Sequence, residues 1–381
     1  MRFPEFSGEW EKCQLQQIAS ISKGSGISKE QLSDAGEPCI LYGELYTKYK
    51  SEVIDEVISK TNIDSTHLIR SLKNDVIIPS SGETAIDIST ARCVPYDNIL
   101  LGGDLSIIRL KEQDGRFFSY QLNGVRKPDI AKVAQGVSVV HLYGDSLSKL
   151  LVSYPTLKEQ YKIADFLHKL DQRIATQIRV IEDLQTLKKA IIERSYNAGG
   201  KVHKIGELIE QVSKRNKSND YPVLSVNNRL GFIEQADQFE DRTVASDDTS
   251  NYKVVSTNDF AYNPARINVG SIARLKDRTN GIVSPMYVCF RTKDKLLPEY
   301  MEHFFDTTYF KHEMFKRLEG SVRLCLSYEG LCNISMSIPS IEEQKKLSNR
   351  LSAIEQKIQI ESKILEAYKM QKSYLLQQMF I

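Results

Sequence analysis

Very few residues of this chain combine the types and spacing that catalysis requires. The stretch "NPAR" at 263–266 starts like the Asn-Pro-Pro-aromatic tetrad of DNA aminomethyltransferases, but it lacks the second proline and the stacking aromatic. "PDIAK" at 128–132 starts like the Pro-Asp, Asp/Glu-x-Lys pattern of nucleases, but the later "EQK" at 355–357 falls in a helical pattern. No G-x-x-x-x-G-K-[ST], G-x-G-x-x-G or G-x-S-x-G motif occurs. The sequence therefore predicts a protein with no catalytic residues and no metal site.

The composition is that of a globular protein with room for two domains or slightly more. The chain has 381 residues, of which 41% are hydrophobic and 26% charged. No apolar run approaches the roughly 18 residues that span a bilayer. The start "MRFPEFSGEWEK" has no apolar signal core, and the six cysteines form no C-x-x-C pair, which together predict a cytoplasmic protein with reduced thiols. The net charge of +2, from 51 basic and 49 acidic residues, neither favours nor excludes nucleic acid.

The two halves of the chain are copies of one another. "SYPTLKEQYKIADFLHKLDQRI" from Ser153 returns as "SIPSIEEQKKLSNRLSAIEQKI" from Ser337, an offset of 184 residues. "KND" at 73–75 faces "TND" at 257–259 at the same offset, and Gly136 faces Gly320. A repeat of about 185 residues is too long for a solenoid unit, so it predicts a duplicated domain.

Each half divides into a β-rich part and a long helix. Short β-like runs broken by Gly, Asn, Asp and Pro fill about 1–150 and 200–335. After Pro155 and Pro339 the spacing becomes helical, with no further proline in either segment. The predicted boundaries are 1–150, 151–199, 200–335 and 336–381. The acidic residues at the two helix starts, Glu159 and Glu343, are interpreted as solvated.

Both helices carry a heptad pattern that predicts a coiled coil with a specified register. The predicted seam consists of Leu167, Leu170, Ile174, Ile181, Leu184, Ile191, Leu351, Ile354, Ile358, Leu365, Tyr368 and Leu375. The polar interruptions occupy equivalent positions in both helices, at Gln177 and Lys188 and at Glu361 and Lys372. The alternative is two separate amphipathic helices, each covering its own domain.

These features together resemble the specificity (S) subunits of bacterial type I restriction–modification enzymes. The resemblance rests on "FPEFSGEWEKCQLQQIASISKGSG" near the start and on the Pro-x-x-x-Glu-Gln opening of both long helices within a half-chain duplication. It covers essentially the whole chain. It implies an α+β fold, in which two β-rich target-recognition domains are separated by two long antiparallel helices about a pseudo-twofold axis.

The resemblance also implies a non-catalytic role and a set of partners. Each recognition domain would read half of a bipartite double-stranded DNA target, and the helices would dock two methyltransferase subunits. Restriction and translocase subunits would join through the complex. S-adenosylmethionine, ATP and Mg would then be bound by the partner subunits, and this chain would hold no cofactor.

Polar loop residues are the candidates for DNA contacts, because such side chains bind phosphates and base edges. In the first half they are Lys23, Ser25, Tyr42, Glu44, Ser80, Ser81, Glu83, Gln135, Ser138 and His141. In the second half they are Lys214, Arg215, Asn227, Asn228, Arg229, Asn263, Arg266, Asn268, Ser321 and Arg323. Arg266 and Arg323 are the strongest candidates, since arginine is the commonest base-reading side chain. His141 is interpreted as a structural residue or a phosphate contact.

Two other functions remain open at this stage. A protein-interaction scaffold, with duplicated β-rich domains on a coiled-coil spacer, would fit the near-neutral charge. A specificity subunit of another restriction–modification type would keep the DNA-reading role.

Overall fold

The computed structural model describes residues 1–136, 138–197, 199–217, 221–228, 230–235, 248–321 and 323–380. Contacts divide the chain into two compact units. The first unit comprises Met1–Arg179 with Ser362–Ile381, and the second comprises Val180–Glu361. Each unit is therefore built from one β-rich part and from pieces of both long helices.

The strands are short and are distributed over both units. Those of the first unit are β1 (Glu11–Gln14), β2 (Ala19–Lys23), β3 (Leu32–Ser33), β4 (Glu37–Ile40), β5 (Ser59–Thr61), β6 (Asp75–Pro79), β7 (Ser81–Gly82), β8 (Arg92–Val94), β9 (Leu100–Leu101), β10 (Leu105–Leu110), β11 (Val140–His141) and β12 (Leu151–Tyr154). Those of the second unit are β13 (Lys201–Lys204), β14 (Ile209–Gln211), β15 (Val223–Asn227), β16 (Gly231–Glu234), β17 (Lys253–Ser256), β18 (Phe260–Tyr262), β19 (Ile272–Arg274), β20 (Asn280–Val283), β21 (Val288–Thr292) and β22 (Ser335–Ile338).

The helices include two that are far longer than the rest. They are α1 (Leu15–Ile18), α2 (Glu44–Thr47), α3 (Ala85–Ile88), α4 (Gly115–Asn123), α5 (Lys127–Val133), α6 (Gly144–Ser148), α7 (Leu157–Asn197), α8 (Ile205–Leu208), α9 (Pro298–Phe304), α10 (Thr308–Phe315), α11 (Tyr328–Cys332) and α12 (Ile341–Gln378). Short 3-10 helices occur at Lys29–Gln31 and Ile267–Val269. None of the described helices combines the length and apolar character needed to cross a membrane.

The β-rich parts share the strand order of one sheet and differ in the edge strand of the other. In the first unit β1 pairs with β12, one sheet runs β2-β10-β6-β8, and another runs β3-β5-β4-β9. In the second unit β13 pairs with β22, and the sheets run β14-β21-β18-β19 and β16-β15-β20-β17. Each unit contains a single named parallel pair among its described strands, β4 with β9 and β15 with β20. The mixed α+β fold with an internal repeat is thus as the sequence predicted.

The strands form where apolar residues can be buried on both faces of a sheet. All five residues of β6, "DVIIP", are buried, and β10 begins with four buried residues. Two phenylalanines of α4, Phe117 and Phe118, are fully buried in the core cluster of the first unit. In the second unit Tyr300 and Phe304 of α9 occupy the corresponding place. Burial of such aromatic side chains supplies much of the stability of each core.

The repeated Asn-Asp dipeptide before each central strand has a structural role. Asn74 adopts a φ of 79°, a left-handed conformation that asparagine tolerates better than most residues. Asp75 follows at 1% exposure, accepts a hydrogen bond from Leu72 N at 2.8 Å and pairs with Arg109 at 2.7 Å. The same contacts recur in the second unit with Asn258, Asp259, Ser256 and Arg291. This motif therefore sets a turn and pairs with an arginine of the neighbouring strand.

The glutamine of the repeated Pro-x-x-x-Glu-Gln motif ties each long helix to its domain. Gln160 is fully buried, accepts from Asp114 N at 3.1 Å and donates to Pro155 O at 2.8 Å. Gln344 is equally buried, and it accepts from Leu297 N at 2.9 Å and donates to Pro339 O at 3.0 Å. One side chain thus joins the start of α7 to α4, and its copy joins α12 to α9.

The glutamate of the motif differs between the two copies, and one prediction for it is wrong. Glu343 is exposed and closes a capping box with Ser340, as expected for a solvated helix start. Glu159 is instead 1% exposed and accepts two hydrogen bonds at 2.7 Å from the Arg2 guanidinium. A bidentate pair with the N-terminal segment compensates for the burial of this carboxylate.

The long helices pair in an antiparallel coiled coil. All twelve predicted seam residues are buried or half-buried. Lys372 lies 2.5 Å from Asp171 in the first unit, and Lys188 lies 2.7 Å from Glu355 in the second. From Asp171 to Lys188 the chain advances 17 residues, while their partners Lys372 and Glu355 are 17 residues apart in the opposite direction. Two of the four polar breaks in the heptad pattern, Lys188 and Lys372, are therefore members of inter-helix ion pairs.

Each long helix also packs against the β-rich parts. The helices therefore form a coiled coil and cover the domains at the same time, which the sequence had offered as alternatives. Leu167 and Leu170 of α7 pack into the core of the first unit, and Ile192 and Tyr196 pack into that of the second. Likewise Leu351 of α12 belongs to the core of the second unit, whereas the end of α12 and the residues after it pack in the first. A helix of about 40 residues is long enough to contribute to both cores.

Candidate nucleic-acid interface

The same exposed loop occurs in both units and carries several of the DNA-contact candidates. We call residues 135–141 and 319–325 the glycine loops; positions 137 and 322 lie outside the described residues. In the first loop Gln135 and His141 exchange two backbone hydrogen bonds of 2.9 and 2.7 Å. In the second, Glu319 and Cys325 exchange bonds of 2.9 and 2.8 Å. The two loops therefore close in the same register.

A glycine at the second position of each glycine loop is required by its backbone. Gly136 has a φ of 125° and Gly320 a φ of 122°. A Cβ at Gly136 would lie 2.1 Å from Val139 O, and one at Gly320 would lie 2.3 Å from Arg323 O. Only glycine adopts this conformation without a clash. The two copies thus keep this glycine conformation while neighbouring side chains differ.

A second loop lies beside each glycine loop. We call residues 80–83 and 264–267 the strand-end loops, since they follow β6 and β18. Leu142 N donates to Ser80 O at 2.9 Å, and Leu326 N donates to Pro264 O at 3.1 Å. These matching bonds place Ser80 opposite Pro264 in the repeat. Aligning Pro79 with Pro264, as the matching prolines of the two sequences invite, would therefore put the loops one residue out of register.

The second unit brings most of its candidates into one region. Asn263 N donates to Ser271 O at 3.1 Å, and Ser271 Oγ donates to Val226 O at 3.0 Å. These bonds fasten the turn that follows β18 to the end of β15. The candidates on these connected segments are Asn227, Asn228, Asn263, Arg266, Asn268, Ser321 and Arg323. Arg229 lies outside the described residues.

Arg266 and Arg323 are exposed on neighbouring loops of this region. No carboxylate among the described residues forms an ion pair with either guanidinium. Other arginines of the unit are committed to such pairs, as Arg274 is to Glu299 and Glu302. A guanidinium that is not already paired can present its fork of donors to phosphate or to a base edge.

The first unit arranges its candidates differently. Exposed polar side chains there are Lys23, Glu83, Gln135, Ser138 and His141, while Ser25 and Tyr42 are half-buried. His141 lies beside Tyr143, with ring centroids 6.2 Å apart. Tyr42 lines a groove of about 920 Å³ together with Lys29 and Lys48. The glycine loop and the strand-end loop of this unit carry no lysine or arginine, whereas those of the second unit carry Arg266 and Arg323.

Three candidates in the first unit have structural roles. Glu44 is 5% exposed and accepts hydrogen bonds from Leu41 N at 3.0 Å, from Lys48 and from Ser59. Ser80 is 6% exposed and shares a 2.8 Å hydrogen bond with Ser106. Ser81 is 7% exposed and pairs with His141 between β7 and β11. The sequence predicted exposed polar loops here, yet all three residues are buried, and the side chains of Glu44 and Ser80 are hydrogen-bonded within the protein.

Lys214 and Arg215 lie apart from the arginine-bearing loops. Lys214 O accepts a hydrogen bond from Val254 N at 2.8 Å, and the backbone of Arg215 forms an isolated antiparallel β-bridge with Lys253. Both residues therefore lie beside β17. In the sheet order, β20 separates β17 from β15, where Asn227 lies. The structure therefore does not group these two cations with Arg266 and Arg323.

Buried thiols are poor nucleophiles in this protein. Burial raises the pKa of Cys39 to about 11 and that of Cys289 to about 12. Both thiols stay protonated near neutral pH. In the described part of the chain, no three His, Cys, Asp or Glu side chains are grouped so as to hold a metal ion.

A family comparison accounts for both halves of the chain. The model described as the type I restriction modification DNA specificity domain matches residues 7–185 and again residues 200–369. The chain belongs to this family. The two matches correspond to the two copies of the repeat, so each half is one DNA specificity domain.

Relatives of known sequence or structure agree with this assignment. The specificity subunit of the type I restriction enzyme MjaVIII, from Methanocaldococcus jannaschii, is 24% identical over 286 residues. That match spans 66% of each protein, so about two thirds of the relative's length is covered.

The solved structures extend the likeness to the whole fold. The S subunit of a type I restriction–modification system from M. genitalium aligns with a TM-score of 0.65 and 15% identity over 100% of this chain and 99% of that one. A chain from a study of the assembly and conformational transition of the type I R-M system aligns with a TM-score of 0.56 and 14% identity, over 98% and 97% of the chains. These likenesses show the fold.

Two exposed side chains of this specificity-domain protein were not predicted from its sequence. Val139 in the first glycine loop is 52% exposed, and Tyr143 just after it is 50% exposed. Both were overlooked because apolar and aromatic residues in a β-rich segment usually point to a core. The repeat contained a signal, since Val139 aligns with Arg323 at the offset of 184.

Proposed function

We propose that this chain is the non-catalytic subunit that reads DNA sequence in a type I restriction–modification complex. Each unit reads one half of a bipartite target through its glycine loop and strand-end loop. The domain boundaries proposed for these readers are 1–150 and 200–335, with 151–199 and 336–381 as spacer helices. The observation that carries the proposal is the double family match on a duplicated fold.

The candidate contacts divide into two kinds. Lys23, Lys214 and Arg215 are suited to phosphates, which fix the protein on the duplex without reading sequence. Arg266, Asn268, Ser321 and Arg323 in the second unit, with Gln135 and Ser138 in the first, are suited to base edges, whereas His141 is suited to a phosphate. These assignments rest on exposure and residue type.

The long helices suit the role of a spacer and a docking element. Half-sites on one face of a duplex are separated by about a helical turn, roughly 34–36 Å, and a paired helix supplies a fixed distance. Because the two halves are copies, the chain offers two equivalent surfaces to two methyltransferase subunits. S-adenosylmethionine, ATP and Mg belong to the partner subunits in this proposal.

Single-molecule sequencing of methylated adenines in the host tests the proposal. The gene for this chain is deleted and then restored, alongside an intact neighbouring methyltransferase gene. We expect one bipartite motif, methylated on both strands, that disappears with the deletion and returns with the restored gene. Unchanged methylation after the deletion would contradict the proposal and favour a protein-interaction scaffold.

A further inference from the structure

The described residues of the two glycine loops have the same backbone contacts but contrasting side-chain chemistry at one position. Arg323 of the second unit corresponds to Val139 of the first at the 184-residue offset. The flanking backbone bonds and the positive φ of Gly136 and Gly320 are the same in both loops. Val139 is 52% exposed, and Arg323 is exposed as well. These two side chains therefore occupy equivalent positions in the two units, and both are exposed to solvent.

The neighbouring strand-end loops show the same contrast. Placing Ser80 opposite Pro264 puts Gly82 opposite Arg266. The second unit thus has an arginine on each of two adjacent loops, where the first unit has a valine and a glycine.

The contrast separates base contacts from phosphate contacts. Phosphates are the same in every half-site. A position that contacts phosphate is therefore expected to carry a basic residue in both copies of the domain. At this position one copy has arginine and the other has an exposed valine. Since the half-sites differ in their bases and not in their phosphates, such a difference indicates a contact to a base. Arginine binds the O6 and N7 atoms of guanine in the major groove, and apolar side chains contact the methyl group of thymine.

We propose that Arg323 and Val139 determine sequence specificity at equivalent positions of the two half-sites. Arg323 selects guanine in the half-site read by the second unit, and Val139 selects thymine in the half-site read by the first unit. Arg266 selects a second guanine beside that of Arg323. This inference rests on the proposed function and adds the class of base that each unit reads.

Reciprocal substitutions test the assignment in the full chain together with its methyltransferase subunits. Arg323→Val removes the guanidinium, and Val139→Arg introduces it at the equivalent place. The measurement is the methylated motif of each variant, read by single-molecule sequencing. We expect Arg323→Val to lose selection for guanine at one position of one half-site, by about 5- to 150-fold relative to the other bases. We expect Val139→Arg to change thymine to guanine at the equivalent position of the other half-site.

The controls distinguish the inference from the function on which it rests. Lys311→Ala removes an exposed cation of α10, and its motif should equal that of the wild-type protein. Absence of any bipartite motif for the wild-type protein would overturn the proposed function and the inference with it. A wild-type motif that Arg323→Val leaves unchanged, or weakens equally at all sequences, would overturn the inference alone. If Arg323→Val abolishes methylation, an unaltered motif for Val139→Arg overturns the inference, whereas a gained guanine supports it.

Discussion

At the scale of single residues, glycine decides the shape of the recognition loops and the exposed side chains decide their chemistry. Gly136 and Gly320 adopt φ values that other residues reach only with strain. With the backbone set in this way, Val139 and Arg323 can differ without any change in the loop. The loop is thus a constant support for variable side chains, as the proposed reading of two different half-sites would require.

Replacing Gly320 with alanine tests this division of roles. The new Cβ would lie 2.3 Å from Arg323 O, so the loop must rearrange. We expect the free energy of unfolding to fall by roughly 1–3 kcal/mol and selection to be lost in one half-site only. Thermal denaturation and the methylated motif measure the two effects. Gly43→Ala is the control, because Gly43 has a φ of −64° and its nearest neighbour would be 3.7 Å from a Cβ. Loss of selection in both half-sites would contradict the local role of Gly320.

At the scale of elements, the register of the coiled coil is specified by ion pairs within an apolar seam, which are buried in the first unit and half-buried in the second. In the first unit, Lys372 contacts both Glu52 and Asp171, and Tyr120 donates to Asp171 at 2.7 Å. Burial lowers the pKa of Lys372, but the two carboxylates outweigh this effect and the net pKa is raised. In the second unit the equivalent Lys188 contacts Glu355 and Asp306. A misaligned pair of helices would leave these charges buried without partners, which disfavours any other register.

Replacing Lys372 with methionine should destabilise the first unit strongly. The change leaves Glu52 and Asp171 buried without a cation, and the expected loss at pH 7 is about 3–5 kcal/mol. Denaturant unfolding monitored by circular dichroism measures it. Lys369→Met is the matched control, since Lys369 is exposed on the same helix. Equal stability of the two variants would show that the ion cluster does not hold the helix.

The pH dependence of this variant has a definite sign. Burial raises the pKa of Glu52 above 4.5, and Lys372 opposes that rise. Without Lys372 the pKa of Glu52 in the folded state rises further. At pH values above that pKa, the ionised carboxylate of Glu52 therefore destabilises the fold. As the pH falls toward the pKa that Glu52 has in the unfolded chain, protonation of the carboxylate removes this destabilisation. The deficit of Lys372→Met relative to the wild-type protein should therefore shrink between pH 7 and about 4.5.

At the scale of the whole molecule, each unit is completed by a segment distant in sequence. The first unit includes residues from Ser362 onward, and Leu375, Met379 and Phe380 are buried in its core. The second unit is completed in the same way by Ile192 and Tyr196 of α7. Neither β-rich part is therefore covered by its own half of the chain alone.

Replacing Phe380 with alanine tests this exchange of helix ends. Phe380 is 4% exposed, and its ring centroid lies 5.2 Å from that of Phe117. Removing it should cost about 3–5 kcal/mol, with hydrogen exchange accelerated in α4 but not in α9. Tyr374→Ala serves as the control, because Tyr374 is 54% exposed on α12. Equal acceleration in α4 and α9 would contradict the assignment of the C-terminal segment to the first unit.

Local patterns in the sequence determined the repeat, the two long helices and their seam. Helical periodicity, a proline at each helix start and a constant offset are short-range signals, so they predicted α7 and α12 closely. The glycines at 136 and 320 likewise marked a shared loop before any contact was known. The family resemblance followed from these patterns, and the double match confirmed it.

Only the tertiary structure decided which polar residues are available to bind DNA. Glu44, Ser80 and Glu159 look like exposed polar residues in sequence, yet each is buried against a partner from another segment. The loops that carry Arg266 and Arg323 are joined by a hydrogen bond between Leu326 and Pro264, which are 62 residues apart in the chain. The exchange of helix ends between the units also depends on packing between distant segments. Burial and long-range pairing are properties of the folded chain as a whole, which is why local patterns do not contain them.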